Sequence, residues 1–171
     1  SGTHGGLDAS AIIMQQQLDG RMIVFSEVVT DGLGLEDFAQ VVVQHCNRLY
    51  GPRTLTCYAD PAIFARSQNN AERGSEYLRA GGLTALPAPQ DPKVRISAVR
   101  QWLTRMTKRG PAFQVHPRCD MLIEGFRGAY RFKMGGGEVL QTVDKNEFSH
   151  PHDALQYPLA ALVYRAKAQE K

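Results

Sequence analysis

Residues 144–165 read DKNEFSHPHDALQYPLAALVYR, and this stretch decides the fold. Leu155, Leu159, Leu162 and Val163 recur at i, i+4, i+7 and i+8, the spacing of one buried helical face, so the stretch is a helix. His150, His152 and Asp153 crowd its opening turn. Unpaired backbone N–H groups and the positive end of the helix dipole oppose a cation there unless carboxylates outweigh them. A metal at this point needs more than one acid.

Working outward, SAIIMQQQ and RMIVFSEVV are β-rich runs separated by LDG, and Asp19-Gly20 is a turn signal, which predicts an antiparallel hairpin. Leu35, Phe38, Val42, Cys46 and Leu49 then recur at helical spacing up to Tyr50, where YGP closes a helix. TLTCYAD reads as a short buried strand ending at Asp60-Pro61. A polar stretch from Ser67 to Gly74 reads as a loop, SEYLRAGG as a short helix with a glycine stop, and LTAL as a strand. Asp91 to Arg109 is expected to be helical, with Val99, Trp102, Leu103 and Met106 on one side. AFQVH reads as a strand, Asp120 to Phe126 as a short helix, and YRFKM with EVLQTV as a hairpin around Gly135 to Gly137. A hairpin followed by alternating helices and short strands predicts an α/β fold, a mixed β-sheet flanked by helices. No repeat or linker divides the chain, which predicts a single domain over 1–171.

Composition narrows the class. With 171 residues, 43% of them hydrophobic, and a formal charge of +3, the chain is long enough to bury a sizeable core. It has no apolar run of about 18 residues and no charged-then-apolar leader, so the expectation is a cytoplasmic protein without a membrane span. Cys46, Cys57 and Cys119 lie far apart without C-x-x-C spacing, which argues for small core residues rather than disulfides or structural zinc.

Sheets of this kind place active sites at the carboxyl ends of strands, which draws attention to the acids there. Asp8 precedes the first apolar run, Asp60 ends a strand, and Asp153 opens the last helix. Three such carboxylates, convergent in space, suit two divalent cations about 3.5 to 4 Å apart, the geometry of phosphodiester hydrolysis. His150, three residues before Asp153, falls on the same helical face and offers a further ligand. Local sequence leaves plainer roles open: Asp60 as a turn initiator before Pro61, Asp153 as a partner of the helix dipole, Asp8 as a solvated acid near a terminus, and the histidines as helix-start residues.

KNEFSHPHDALQY resembles the last motif of the nuclease domain of phage terminase large subunits, a K-N-x-x-S-H-x-x-D-A-L-x-Y pattern opening the final helix. YADPAIFARS is similar to that family's second acidic motif, and GGLDASAIIMQQQLDGRMIVFSEV to its first. One departure is the family's aromatic-glycine pair after the first acid, which LD running directly into ASAIIM lacks. The resemblance implies a ribonuclease H-like fold with an additional hairpin near the active site. It implies a metal-dependent endonuclease that cuts concatemeric double-stranded viral DNA, acting with two divalent cations, Mg2+ or Mn2+. By motif position the metal and catalytic residues are Asp8, Asp60 and Asp153, with His150 as the accessory residue. The implied partners are viral DNA, the terminase ATPase domain, the small terminase subunit and the portal, in the host-cell cytoplasm, the isolated domain being monomeric. No G-x-x-x-x-G-K-[ST] string occurs, so no ATP site is expected in this stretch.

Among the basic residues, Lys93, Arg95, Arg100, Arg105, Lys108 and Arg109 cluster on one segment, a solvated helix face or a DNA contact. Arg131, Lys133 and Lys145 flank the glycine-rich hairpin and are the preferred DNA-binding candidates. The competing readings are another ribonuclease H-like nuclease of the resolvase or integrase type, which shares the acids without the K-N-x-x-S-H motif, and a non-catalytic module binding DNA or the portal.

Overall fold

A computed structural model describes residues 7–65, 73–135, 138–144 and 146–169. The hairpin forms as expected: β1 (Leu7–Gln16) and β2 (Met22–Leu33) pair antiparallel around Gly20, whose φ of 85° is the backbone the turn needs. β7 (Phe113–Val115) adds to β2 in parallel, giving a three-stranded mixed sheet in the order β1-β2-β7. Before it come α1 (Leu35–Tyr50), β3 (Cys57–Ala59), α2 (Gly74–Ala80), β4 (Ala85–Pro87), α3 (Pro92–Thr104) and the two-residue strands β5 (Met106–Thr107) and β6 (Gly110–Pro111). After it come α4 (Asp120–Glu124), a π-helical turn (Gly125–Ala129), β8 (Phe132–Gly135), β9 (Glu138–Val143) and α5 (Ser149–Gln169). β3 pairs with β4 in parallel, and β8 with β9 antiparallel.

One irregularity explains how β2 serves two helical layers. Ile13 faces Ser26 while Met14 faces Val24, so Phe25 is an extra residue in β2, and the parity of its faces switches there. On one side of the bulge Met22 and Val24 join Trp102, Phe113, Cys119, Leu122, Leu155 and Leu159 in a core beneath α3 and α5. On the other, Val28 joins Phe38, Ala39, Val42, Cys46, Leu78 and Leu83 beneath α1 and α2. Ser26, just past the switch, bonds to α1 through Tyr50 Oη at 2.8 Å and His45 Nε2 at 3.0 Å.

α5 follows its sequence pattern. Leu155 and Leu159 are fully buried, with Leu162 and Val163 packed beside them. Burying each leucine contributes roughly 2 kcal/mol. The helix continues through Pro158.

Some expectations are corrected. α3 stops at Thr104 instead of running to Arg109, because the chain turns into the β5–β6 hairpin. Leu103 and Met106, expected on the buried side, are 46% and 67% exposed, while Trp102 is buried. The strand expected from Thr54 is three residues long, and its residues are half-buried. Most of the predicted polar loop after Ser67 lies outside the described residues. The cysteines are free thiols, and burial pushes Cys57 and Cys119 up to about 11.

Candidate active site

The turn before α5 is built by the motif's own polar residues. Asn146 accepts the Phe148 N–H at 3.1 Å, its backbone N–H donates to Ser149 Oγ at 2.8 Å, and that hydroxyl donates back to the Asn146 carbonyl at 2.8 Å. The Asn146 side-chain amide donates to the Ala129 carbonyl at 2.8 Å, which ties the start of α5 to the π-helical turn. Asn146 and Ser149 are therefore fixtures of the backbone.

The two histidines of this turn part company. His150 is exposed, three residues ahead of Asp153. His152 is buried, stacks flat on Tyr130 at 4.5 Å, meets the edge of Phe126 at 4.7 Å, and donates from Nε2 to the Leu122 carbonyl at 3.1 Å. Burial lowers its pKa, with the Leu122 carbonyl and Asp153 opposing, so the ring is a neutral core element. Its neighbour Asp153 is half-buried, and its charge helps raise the Tyr130 hydroxyl, after burial itself.

Asp60 reaches the same helix from the end of β3. One carboxylate oxygen accepts the Ala62 N–H at 2.9 Å and caps the 3-10 turn Pro61–Phe64; the other accepts the Tyr157 hydroxyl at 2.8 Å. Turn initiation and presentation of the acid are thus one arrangement. Tyr157 lies one helical turn beyond Asp153, and residues four apart on a helix are neighbours. The bond therefore holds Asp60 against the face of α5 that carries Asp153. Further along, Arg165 lies over the Tyr58 ring at 5.3 Å, so α5 and β3 run in opposite senses and bring these two ends together.

The remaining candidates are less engaged. Asp8 lies in β1 between Leu7 and Ala9, across from a second irregularity in β2 at Asp31 and Gly32, and its side chain is outside the described residues. Among the described residues no three His, Cys, Asp or Glu side chains converge as a metal-holding group. Arg131 and Lys133 are exposed at and just before β8, which leads toward α5, while Lys145 lies outside the described residues. A cavity of about 210 Å³ is lined by Ile96, Val99, Phe126, Tyr130, His152 and Gln156.

Sequence reasoning missed Tyr157 and Tyr130 as site residues. Tyr157 was in view as the final motif position, and its spacing from Asp153 was a usable signal. Burial, then the bond to Asp60 and the Asp60 charge, push its hydroxyl well above the usual tyrosine range, so it remains a donor. On the metal-ion reading that the motifs imply, partners that orient a ligating carboxylate matter about 10- to 100-fold, and Tyr157→Phe should then weaken Mn2+ binding by about that factor while leaving the melting temperature nearly unchanged. Calorimetric titration checks this; unaltered affinity would remove Tyr157 from the site.

The architecture is an α/β fold, a mixed sheet between helical layers with a hairpin leading into the last helix. Among solved structures, the chain is similar to the large terminase nuclease domain from bacteriophage SPP1, crystallised with bound Mn, at 16% identity and a TM-score of 0.59 over 90% of this chain and 80% of that one. No family model and no curated protein sequence matches the chain.

Proposed function

We propose that this domain is the metal-dependent endonuclease of a viral DNA-packaging terminase, cutting concatemeric double-stranded DNA. The observation that carries the reading is the Tyr157 bond, which sets Asp60 beside the Asp153 face of α5. The sequence motifs and the likeness to the SPP1 domain with its bound Mn support the same reading.

The donors fit hard divalent cations, since carboxylate oxygens suit Mg2+ and Mn2+, which keep several waters rather than needing an all-protein cage. Asp60 and Asp153 would hold them, with Asp8 as third acid and His150 as accessory ligand. Two such cations, when bound, activate a water and neutralise charge on the phosphate and on the leaving oxygen. The protein's own contribution is positional. Tyr157 and the Ala62 N–H fix the Asp60 carboxylate, and the stacked His152 and Tyr130 fix the turn of α5 that presents Asp153. The ATPase domain, small terminase subunit and portal would be the partners that deliver DNA to it.

A plasmid-nicking assay with Mg2+, Mn2+, Ca2+ and chelator tests the proposal. Cleavage with Mn2+ or Mg2+ that chelator abolishes is expected; cleavage surviving chelation, or none with any metal, would refute it. Linear duplex cut without sequence preference separates this reading from a resolvase, which prefers branched junctions. Exposed Arg131 and Lys133 are the proposed phosphate contacts. Replacing both by glutamine should lower the slope of log affinity against log salt by about 2, and an unchanged slope would exclude them.

A further inference from the structure

α3 delivers a cation to the acidic end of α5 that the sequence places only within a basic run. Arg95 is half-buried, and its guanidinium carbon lies 4.9 Å from the centroid of the Tyr157 ring, the ring whose hydroxyl holds Asp60. Its charge also acts on Tyr130, the ring beside Asp153. Arg95 is thus linked to Asp60 through the Tyr157 ring.

A guanidinium over the ring whose hydroxyl holds a carboxylate would be expected to turn toward that carboxylate. Among the described residues Arg95 forms no ion pair, and its Nε–H is buried without an acceptor. The stack on Tyr157 holds the planar group in place, which reduces the ordering cost of any later hydrogen bonds, and the guanidinium fork matches phosphate oxygens in a way an ammonium does not. The exposed arginines of the same run lack this placement. Arg105 lies over Trp102 at 5.2 Å, at the far end of the helix.

We propose that Arg95 grips a phosphate of the DNA strand presented to Asp60 and Asp153, as a substrate-positioning arginine of the candidate site. This rests on the nuclease reading above, and it assigns the acids' cationic neighbour to the substrate rather than to charge balance.

The test compares wild type, Arg95→Gln and Arg95→Lys by three measurements. These are binding of a fluorescent duplex in Ca2+ across a salt series, Mn2+ titration without DNA, and cleavage kinetics in Mn2+. Arg95→Gln should lose about one unit of salt slope, fall about 100-fold in kcat/KM, and bind Mn2+ within a few-fold of wild type. Arg95→Lys should keep the slope and cut about 10-fold more slowly, because the charge survives and the fork does not. Tighter Mn2+ binding by Arg95→Gln with an unchanged slope would overturn the proposal, since Arg95 would then only offset the acids. Should Arg95→Gln fail to fold, Arg95→Lys decides, and wild-type turnover in it would equally overturn the assignment. If wild type cuts nothing, the nuclease reading fails while the salt slope still reports on Arg95.

Discussion

Asp153→Asn should reduce Mn2+-dependent cleavage by about 1,000-fold or more, close to 4 kcal/mol of transition-state stabilisation. Asparagine keeps the shape of the side chain and the packing of α5, so the melting temperature should move by only a few degrees. What disappears, on the proposed function, is the charge that with Asp60 would offset a cation at a helix N-terminus whose dipole repels it. Asp60→Asn should act similarly on cleavage, but Asp60 also caps the turn after β3 at 2.9 Å and receives Tyr157 at 2.8 Å, so its effect mixes geometry with charge. Parallel titration with Mn2+ should show weakened binding. A variant that still cleaves within tenfold of wild type would remove Asp153 from the chemistry, whatever the fold.

The largest expected loss of stability comes from a single methyl group. A Cβ at Gly125 would fall inside the van der Waals radius of the His152 imidazole. Displacing that ring breaks its contacts: the Leu122 carbonyl holds its Nε2, Tyr130 covers one face, and Phe126 meets it at an edge. Overpacking of this kind costs about 3 kcal/mol, which lowers the melting temperature of a domain this size by roughly 6 to 12 °C. The double variant makes the cause specific. With His152→Ala already in place, adding Gly125→Ala should cost less than about 1 kcal/mol, because the two side chains no longer compete for one space. Equal costs in both backgrounds would mean that Gly125 is needed for the π-helical turn itself and not for room beside His152.

How far the sequence carries depends on whether a signal is local. The β1–β2 hairpin and α1 follow directly from Asp19-Gly20 and from a regular apolar period. The end of α3 does not, because the apolar spacing of Trp102, Leu103 and Met106 continues past the point where the chain turns back on itself, and only contacts distant in sequence reveal which of them are buried. The histidines are a nearer miss. His152, Leu155, Gln156 and Leu159 share the i, i+3, i+4, i+7 stripe and all four are buried, so the helical period already distinguished His152 from exposed His150. Asp60 and Asp153 were visible as acids at element ends. The bond from Tyr157 to Asp60 was not, since it joins residues 97 positions apart. Arg95 was hidden for the same reason, since a basic run looks alike whichever of its members lies over Tyr157.

The additional residue at Phe25 has a bearing on cooperativity. One strand provides a wall for both apolar interiors, Met22 and Val24 for the first and Val28 for the second. Neither helical layer can come away without exposing the flank of a strand on which the other also relies. Melting should accordingly be a single event, in which the layer bearing α1 and the layer bearing the acids dissolve together.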